Sequence, residues 1–200
     1  MSINAAVIGW LEHHLPYASF VAASGVFIGV ESCACEIGVT LIAVSVWRQL
    51  GRDAGRAIAI GVGAGAFEAF LLGAIIIVSV AVAALLGDEE EIRDTRAQPT
   101  TPLLWLMLPV ERLLALLNHL ASRALVLLGF AHKGPWMVVG GFAVFTAVDG
   151  IAGATIVFRN THADFSPWWS ELAIVPVAML CVFILRWCYQ RWPPSGRDSP

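Results

Sequence analysis

The sequence predicts an all-α protein, a polytopic integral membrane bundle of about five transmembrane helices. Three observations carry that prediction. Apolar residues make up 58% of the 200 residues, charged residues 14%, and mean hydropathy is +0.76, values that exclude an ordinary soluble domain. The apolar residues form runs at least as long as the roughly 20 residues a helix needs to cross the hydrocarbon core. Trp10, Trp47, Trp105, Trp136, Trp168, Trp169, Trp187 and Trp192 fall near the ends of those runs, as an aromatic belt does.

The first run extends from Pro16 to Trp47, with Pro16 suited to a first helical turn where its missing N–H goes unused. The second, Ala54 to Leu86, is also longer than the bilayer is thick, so each tilts or begins as an interfacial turn. Gly87–Thr101 is charged and proline-bearing and reads as a solvent loop. Pro102 opens a third segment reaching about Phe130, with Pro109 as a kink or second start. Gly134–Pro135 breaks the chain before Trp136 to Phe158, and the last span runs from Pro167 to Tyr189. Residues 1–192 thus form a single transmembrane domain and 193–200 a polar tail expected to be disordered.

Arginine and lysine sort onto alternate sides. Arg48, Arg52 and Arg56, then Lys133, then Arg186, Arg191 and Arg197 share one side, against Arg93, Arg96 and Arg159 on the other. The positive-inside rule places the N-terminus outside and the C-terminus in the cytoplasm. No Lys or Arg precedes Arg48, so no signal-peptide n-region, lipobox or twin-arginine signal is expected. The net charge of −3, without a basic cluster, excludes nucleic acid as a partner; membrane lipids are the expected surroundings. Cys33 and Cys35 lie about 200° apart around a helix and cannot close a tight metal site, so with Cys181 and Cys188 they read as small apolar residues. Gly25 and Gly29, Gly61 and Gly65, and Gly141 near Gly150 and Gly153 offer small faces for close helix packing.

Acids inside the apolar runs mark where chemistry belongs. Glu31, Glu36, Glu68, Glu111 and Asp149 sit at membrane depth, where an unpaired carboxylate is costly and therefore turns toward a cavity or partner. Glu36 points about 140° away from Glu31 and aligns with Gly29 and Thr40. Glu68 follows Ala64 by one turn, with Gly63 and Gly65 baring the backbone beside it. In the third span Glu111, Ala115 and Asn118 align, and His119 precedes Arg123 by one turn. Carboxylates facing an imidazole could hold a divalent metal, relay protons or activate water; Glu111 with Arg112 or Arg123 could equally be a packing ion pair. His13, His14, His132 and His162 fall outside the spans and support no site.

Four blocks of this sequence resemble the YhfC family of glutamic-type intramembrane proteases, relatives of the CAAX-protease superfamily. Gly61–Gly73 (GVGAGAFEAFLLG) is similar to the family's Gly-x-Gly-His-Gly-x-x-Glu-Ala signature. Pro109–Leu128 (PVERLLALLNHLASRALVLL) resembles its Glu-Arg block with His eight residues on and then Ser, and Phe145–Gly150 (FTAVDG) is placed like its His-x-x-x-Asp. Cys35–Val39 (CEIGV) stands where the family shows Glu-Glu-x-Gly-Arg.

The resemblance implies a fold of membrane helices and an acid that, with histidines, activates water against a peptide bond inside the membrane. Its implied catalytic residues are Glu36, Glu68, Glu111, His119 and Asp149. Glu36 or Glu68 would be the base, and His119 would orient water or stabilise the oxyanion. Ala64 and Phe145 replace two family histidines, and Cys35 and Val39 replace its leading Glu and its Arg, which implies a degenerate site with little or no proteolysis. No cofactor is expected; a divalent metal stays open, without a full ligand set. The implied partner is a membrane-embedded peptide or protein substrate, and the implied location a bacterial plasma membrane. Two other readings remain: a non-catalytic binding or scaffold protein that keeps the cavity, and a small transporter using the same acids, against which the lack of an internal repeat counts.

Overall fold

In a computed structural model, which describes residues 3–86, 102–132, 134–162 and 164–192, the chain is all-helical. Helix α1 (Ile3–His14) precedes α2 (Tyr17–Val46), and a 3-10 turn (Arg48–Gly51) leads to α3 (Ala54–Leu86). A short α4 (Pro102–Trp105) precedes α5 (Met107–His132), then come α6 (Pro135–Thr161) and α7 (Trp168–Arg191). Among the described residues, five segments are long and apolar enough to cross a membrane: α2, α3, Trp105–His132, α6 and α7. The chain is an integral membrane protein.

Local chemistry sets the boundaries. Pro16 caps α2, and Pro135 occupies the first turn of α6, where an absent N–H costs nothing. The third span breaks at Leu106, which places Pro109 in the first turn of α5 rather than inside a continuous helix. One helix was not foreseen: α1 is only 12 residues long, too short to span. The residues before His13 and His14 carry no apolar run long enough to announce a helix. The 87–101 loop, Lys133 and the 193–200 tail lie outside the described residues.

Helix α5 is the most buried span and α3 the least. Helices α3, α6 and α7 all pack on α5, and α2 packs mainly on α6. Lipid tails offer no hydrophobic drive between helices, so close backbone approach must supply the contact energy. Glycine makes it feasible. A Cβ on Gly25 would lie 2.6 Å from the Gly150 carbonyl, one on Gly61 2.8 Å from Leu120 Cα, and one on Gly141 2.7 Å from the Ser122 carbonyl. Below the polar layer, Val44, Ala57, Leu127, Leu128 and Cys188 form an apolar core. There the Trp192 indole donates to the Gly51 carbonyl at 3.2 Å, tying the end of α7 to the 3-10 turn.

One contact is missing, and it positions the site. Among the described residues, α2 and α3 do not pack along one another beyond the 3-10 turn that joins them. A gap therefore opens between them toward lipid.

The orientation of the bundle is an expected outcome of the arginine distribution. A reporter fused after Trp192 is expected to read cytoplasmic, and one inserted within Asp88–Arg96 extracytoplasmic. The reverse at both points would refute the assignment.

Candidate active site

Glu36 of α2, Glu68 of α3 and His119 of α5 lie near the middle of their helices and meet at the end of the gap. Each offers one metal-ligating atom, and the three atoms lie within 4.8 Å of one another. His119 is 2% exposed, and both carboxylates are 30% exposed, so the imidazole is fixed in the interior while the acids face open space.

Arginines fix the geometry. Arg123, one turn beyond His119, places Nη1 2.7 Å from His119 Nδ1 and Nη2 2.9 Å from Glu36 Oε2. A guanidinium only donates, so Nδ1 accepts and the imidazole proton rests on Nε2. Nε2 then donates to Glu68. Glu36 Oε2 also lies 3.4 Å from Nδ1; with no proton on Nδ1, that approach is electrostatic rather than a hydrogen bond. On the other side Arg112 Nη1 donates to Glu68 Oε1 at 3.1 Å while Nη2 donates to Glu111. Each carboxylate of the group is thus held by its own arginine, which compensates the cost of burying charge.

Two cavities meet at this group. The first, about 540 Å³, lies between α2 and α3; besides Glu36, Glu68 and Arg123 its walls include Val39, Ala43, Ile60, Phe67 and Leu71. It is apolar, in the size range of ligand pockets, and opens through the unpacked gap beside the exposed Val39 and Phe67. The second, about 240 Å³, is the more polar of the two and lies among α2, α5, α6 and α7 with Glu68 of α3 at its edge; Glu68, Glu111, His119 and Asp149 all line it. Asp149 accepts from Ser32 across α2 and α6.

Of the five sequence candidates, Glu36, Glu68 and His119 form the donor group, Glu111 supports it through Arg112, and Asp149 lines the adjoining chamber. Glu31, the remaining intramembrane acid of the sequence reading, makes no hydrogen bond or ion pair among the described residues. Ala64 is a wall of the apolar cavity one turn before Glu68. Phe145 is fully buried, with its ring edge-on to His119 at 5.4 Å and under the Arg123 guanidinium at 5.7 Å. The two substituted positions therefore do abut the donor group, and the group is assembled without them.

Sequence reasoning passed over Glu171, which is 6% exposed and lines the polar chamber. Its signal was the same as for the other acids, a carboxylate inside an apolar run. Its place one turn beyond Trp168–Trp169 disguised it as part of the membrane interface.

The sequence matches the family described as YhfC intramembrane metalloprotease over residues 3–162. The chain belongs to that family. The match covers the four quoted blocks and ends before α7. No curated protein and no solved structure matches the chain. Membership in the YhfC family carries a membrane setting and protein substrates as a general class, and its description names a metal where the motifs alone had suggested a glutamic mechanism.

The donors fit such a metal once Nε2 gives up its proton, the ion then standing where the Nε2–Glu68 hydrogen bond is now made while Arg123 keeps Nδ1. Two carboxylate oxygens and one imidazole nitrogen form a mixed oxygen–nitrogen set of the kind that holds zinc and related divalent ions. Three protein ligands leave a coordination position for water or substrate, the arrangement that separates catalytic from structural zinc sites.

Proposed function

We propose that this chain is an intramembrane peptidase that hydrolyses a peptide bond of a membrane-embedded protein, with Glu36, Glu68 and His119 as its metal-holding catalytic group. The convergence of these three side chains, from three spans, with both carboxylates facing a laterally open apolar cavity, carries the reading. A soluble substrate would not need that route. A transmembrane segment would, because its unwound backbone loses internal hydrogen bonds and must be sheltered while it is cut.

A bound divalent ion supplies Lewis acidity toward the scissile carbonyl and lowers the pKa of water. The chain's own residues divide the remaining work. Glu68 would hold the ion through one oxygen only; because it faces both cavities, its other oxygen is placed to receive a proton from water near a peptide in the apolar one. Arg112 orients Glu68, and Arg123 orients both His119 and Glu36. The walls of α2 and α3 exclude bulk water and seat the peptide, and Ala64 keeps that space open where a larger side chain would narrow it.

A second reading has its own observation. Phe145 packs on His119 where the resemblance places a family histidine, and a phenyl ring neither transfers a proton nor ligates a cation. On that reading the chain retains the cavity as a binding or scaffold protein. The deciding experiment reconstitutes the full chain in liposomes with a transmembrane peptide bearing a fluorophore–quencher pair. The peptidase reading expects cleavage that a chelator stops and a divalent metal restores. Absence of cleavage with every metal tried, together with cleavage by the Ala64→His/Phe145→His double variant, would reject it in favour of the scaffold.

A further inference from the structure

We propose that the polar chamber among α2, α5, α6 and α7 is the water entrance of the site, with Glu171 of α7 as its anchor. The proposal rests on the hydrolytic reading for its purpose, since hydrolysis inside a membrane needs a supply of water that the apolar cavity cannot provide.

Two buried oxygens in the chamber wall point to water. Asn118 Oδ1 and Glu171 Oε2 have no hydrogen-bond partner among the described residues, and the two residues are only 1% and 6% exposed. Buried carbonyl and carboxylate oxygens are nearly always satisfied, and ordered water is the usual partner where protein offers none. The chamber has room for it, at about 240 Å³. Its lining connects Glu171 through Glu111, Arg112 and Asp149 to Glu68 and His119, so water held there touches the catalytic group directly. Glu171 lies beyond the residues that match the family.

The two cavities also occupy opposite halves of the bundle. The polar chamber is built from the early turns of α5 and α7 (Glu111, Glu171), the later turns of α6 (Asp149, Gly153) and the first half of α2 (Ile28, Ser32). These lie toward the 162–167 connection. The apolar cavity is built from the second half of α2, the first half of α3 and the later turns of α5, toward the 3-10 turn. Peptide and water therefore reach Glu68 from different directions, the apolar cavity also touching Glu36 and the polar chamber His119.

Thiol labelling reads water access directly. In the full chain, with Cys33, Cys35, Cys181 and Cys188 replaced by alanine, Val148→Cys puts a thiol in the chamber wall, because Val148 is 5% exposed and lines it. The probe is a membrane-impermeant trimethylammonium methanethiosulfonate applied to sealed vesicles. Val148→Cys is expected to react from the side bearing the 162–167 connection, roughly tenfold or more faster than lipid-facing Met179→Cys, because only a thiol that water reaches ionises to the reactive thiolate. Adding Glu171→Leu should slow the reaction toward the Met179→Cys rate, whereas Glu171→Gln, which keeps a polar oxygen, should not. An unreactive Val148→Cys beside a reactive Asp164→Cys control, or reaction only from the opposite side, would overturn the entrance. Unchanged labelling in Glu171→Leu would overturn the anchor. Labelling needs no turnover, so failure to cleave peptide would reject the hydrolase reading and leave the entrance to be judged by these rates.

Discussion

Glu68→Gln is expected to weaken metal retention and to lower peptide cleavage by at least about 10²–10⁴-fold, the usual contribution of a positioned acid–base group. The substitution keeps the shape of the side chain and removes its charge, at the point where three roles meet. Glu68 accepts from His119 and from Arg112, and it borders both cavities. The amide would donate from one end, set against the Arg112 guanidinium or the His119 N–H, and could neither receive a proton from water nor offer an anionic ligand. Elemental analysis of the purified protein reads the metal, and the liposome assay reads cleavage. Glu111→Gln is the matched control, since Glu111 reaches the group only through Arg112, and its loss should be clearly smaller. Equal losses in the two variants, or none in Glu68→Gln, would mean the reaction centre lies elsewhere.

Gly29→Val is expected to destabilise the bundle by at least about 1–3 kcal/mol, the cost of overpacking a filled interior. An added Cβ would stand 2.7 Å from the Gly150 nitrogen and 2.9 Å from its Cα, backbone atoms that cannot swing aside as a flexible side chain would. The strain falls on the α2–α6 contact, which also carries Glu36 on one helix and Asp149 on the other. Forcing these helices apart would draw Glu36 from Arg123 as well as loosen the fold. Thermal unfolding in detergent measures the effect. Gly38→Ala, on the same helix with nothing within 4 Å of its added carbon, should be neutral or slightly stabilising, because alanine lowers the entropy of the unfolded chain. A similar fall in Tm for both would show that close approach at Gly29 is not what the substitution disturbs.

The spans were legible because a bilayer imposes a rule on sequence that water does not. Each crossing must be an apolar helix of minimum length with its backbone satisfied internally. Ala54–Leu86 was readable to the residue for that reason, and Pro16 marked a helix start by its fixed φ, whereas Pro135, read as part of a break before Trp136, is the first residue of α6. Helix α1 escaped because 12 residues carry no spanning signal. The candidate acids were legible for the converse reason: charge in an apolar run is costly enough to be there for a purpose. What that purpose is could not be read from spacing. Glu111 and Asp149 looked equivalent to Glu36 and Glu68 in sequence, yet one is a support held by Arg112 and the other a chamber wall.

The sequence by itself determined that this protein is a membrane bundle of the YhfC type with acids and one histidine at membrane depth. Burial cost and helical periodicity act residue by residue, so they are written into composition and order. Tertiary structure alone decided which of those side chains meet. Helices α2 and α3 follow one another in the chain but separate above their 3-10 turn, while α5 packs centrally against all four other spans. That arrangement opens the apolar cavity, brings Glu36 and Glu68 to His119, and draws Glu171 from the far end of the sequence into the polar chamber. The physical reason is that helix pairing in lipid is set by where small residues let backbones touch. That complementarity belongs to pairs of helices, and no single segment displays it.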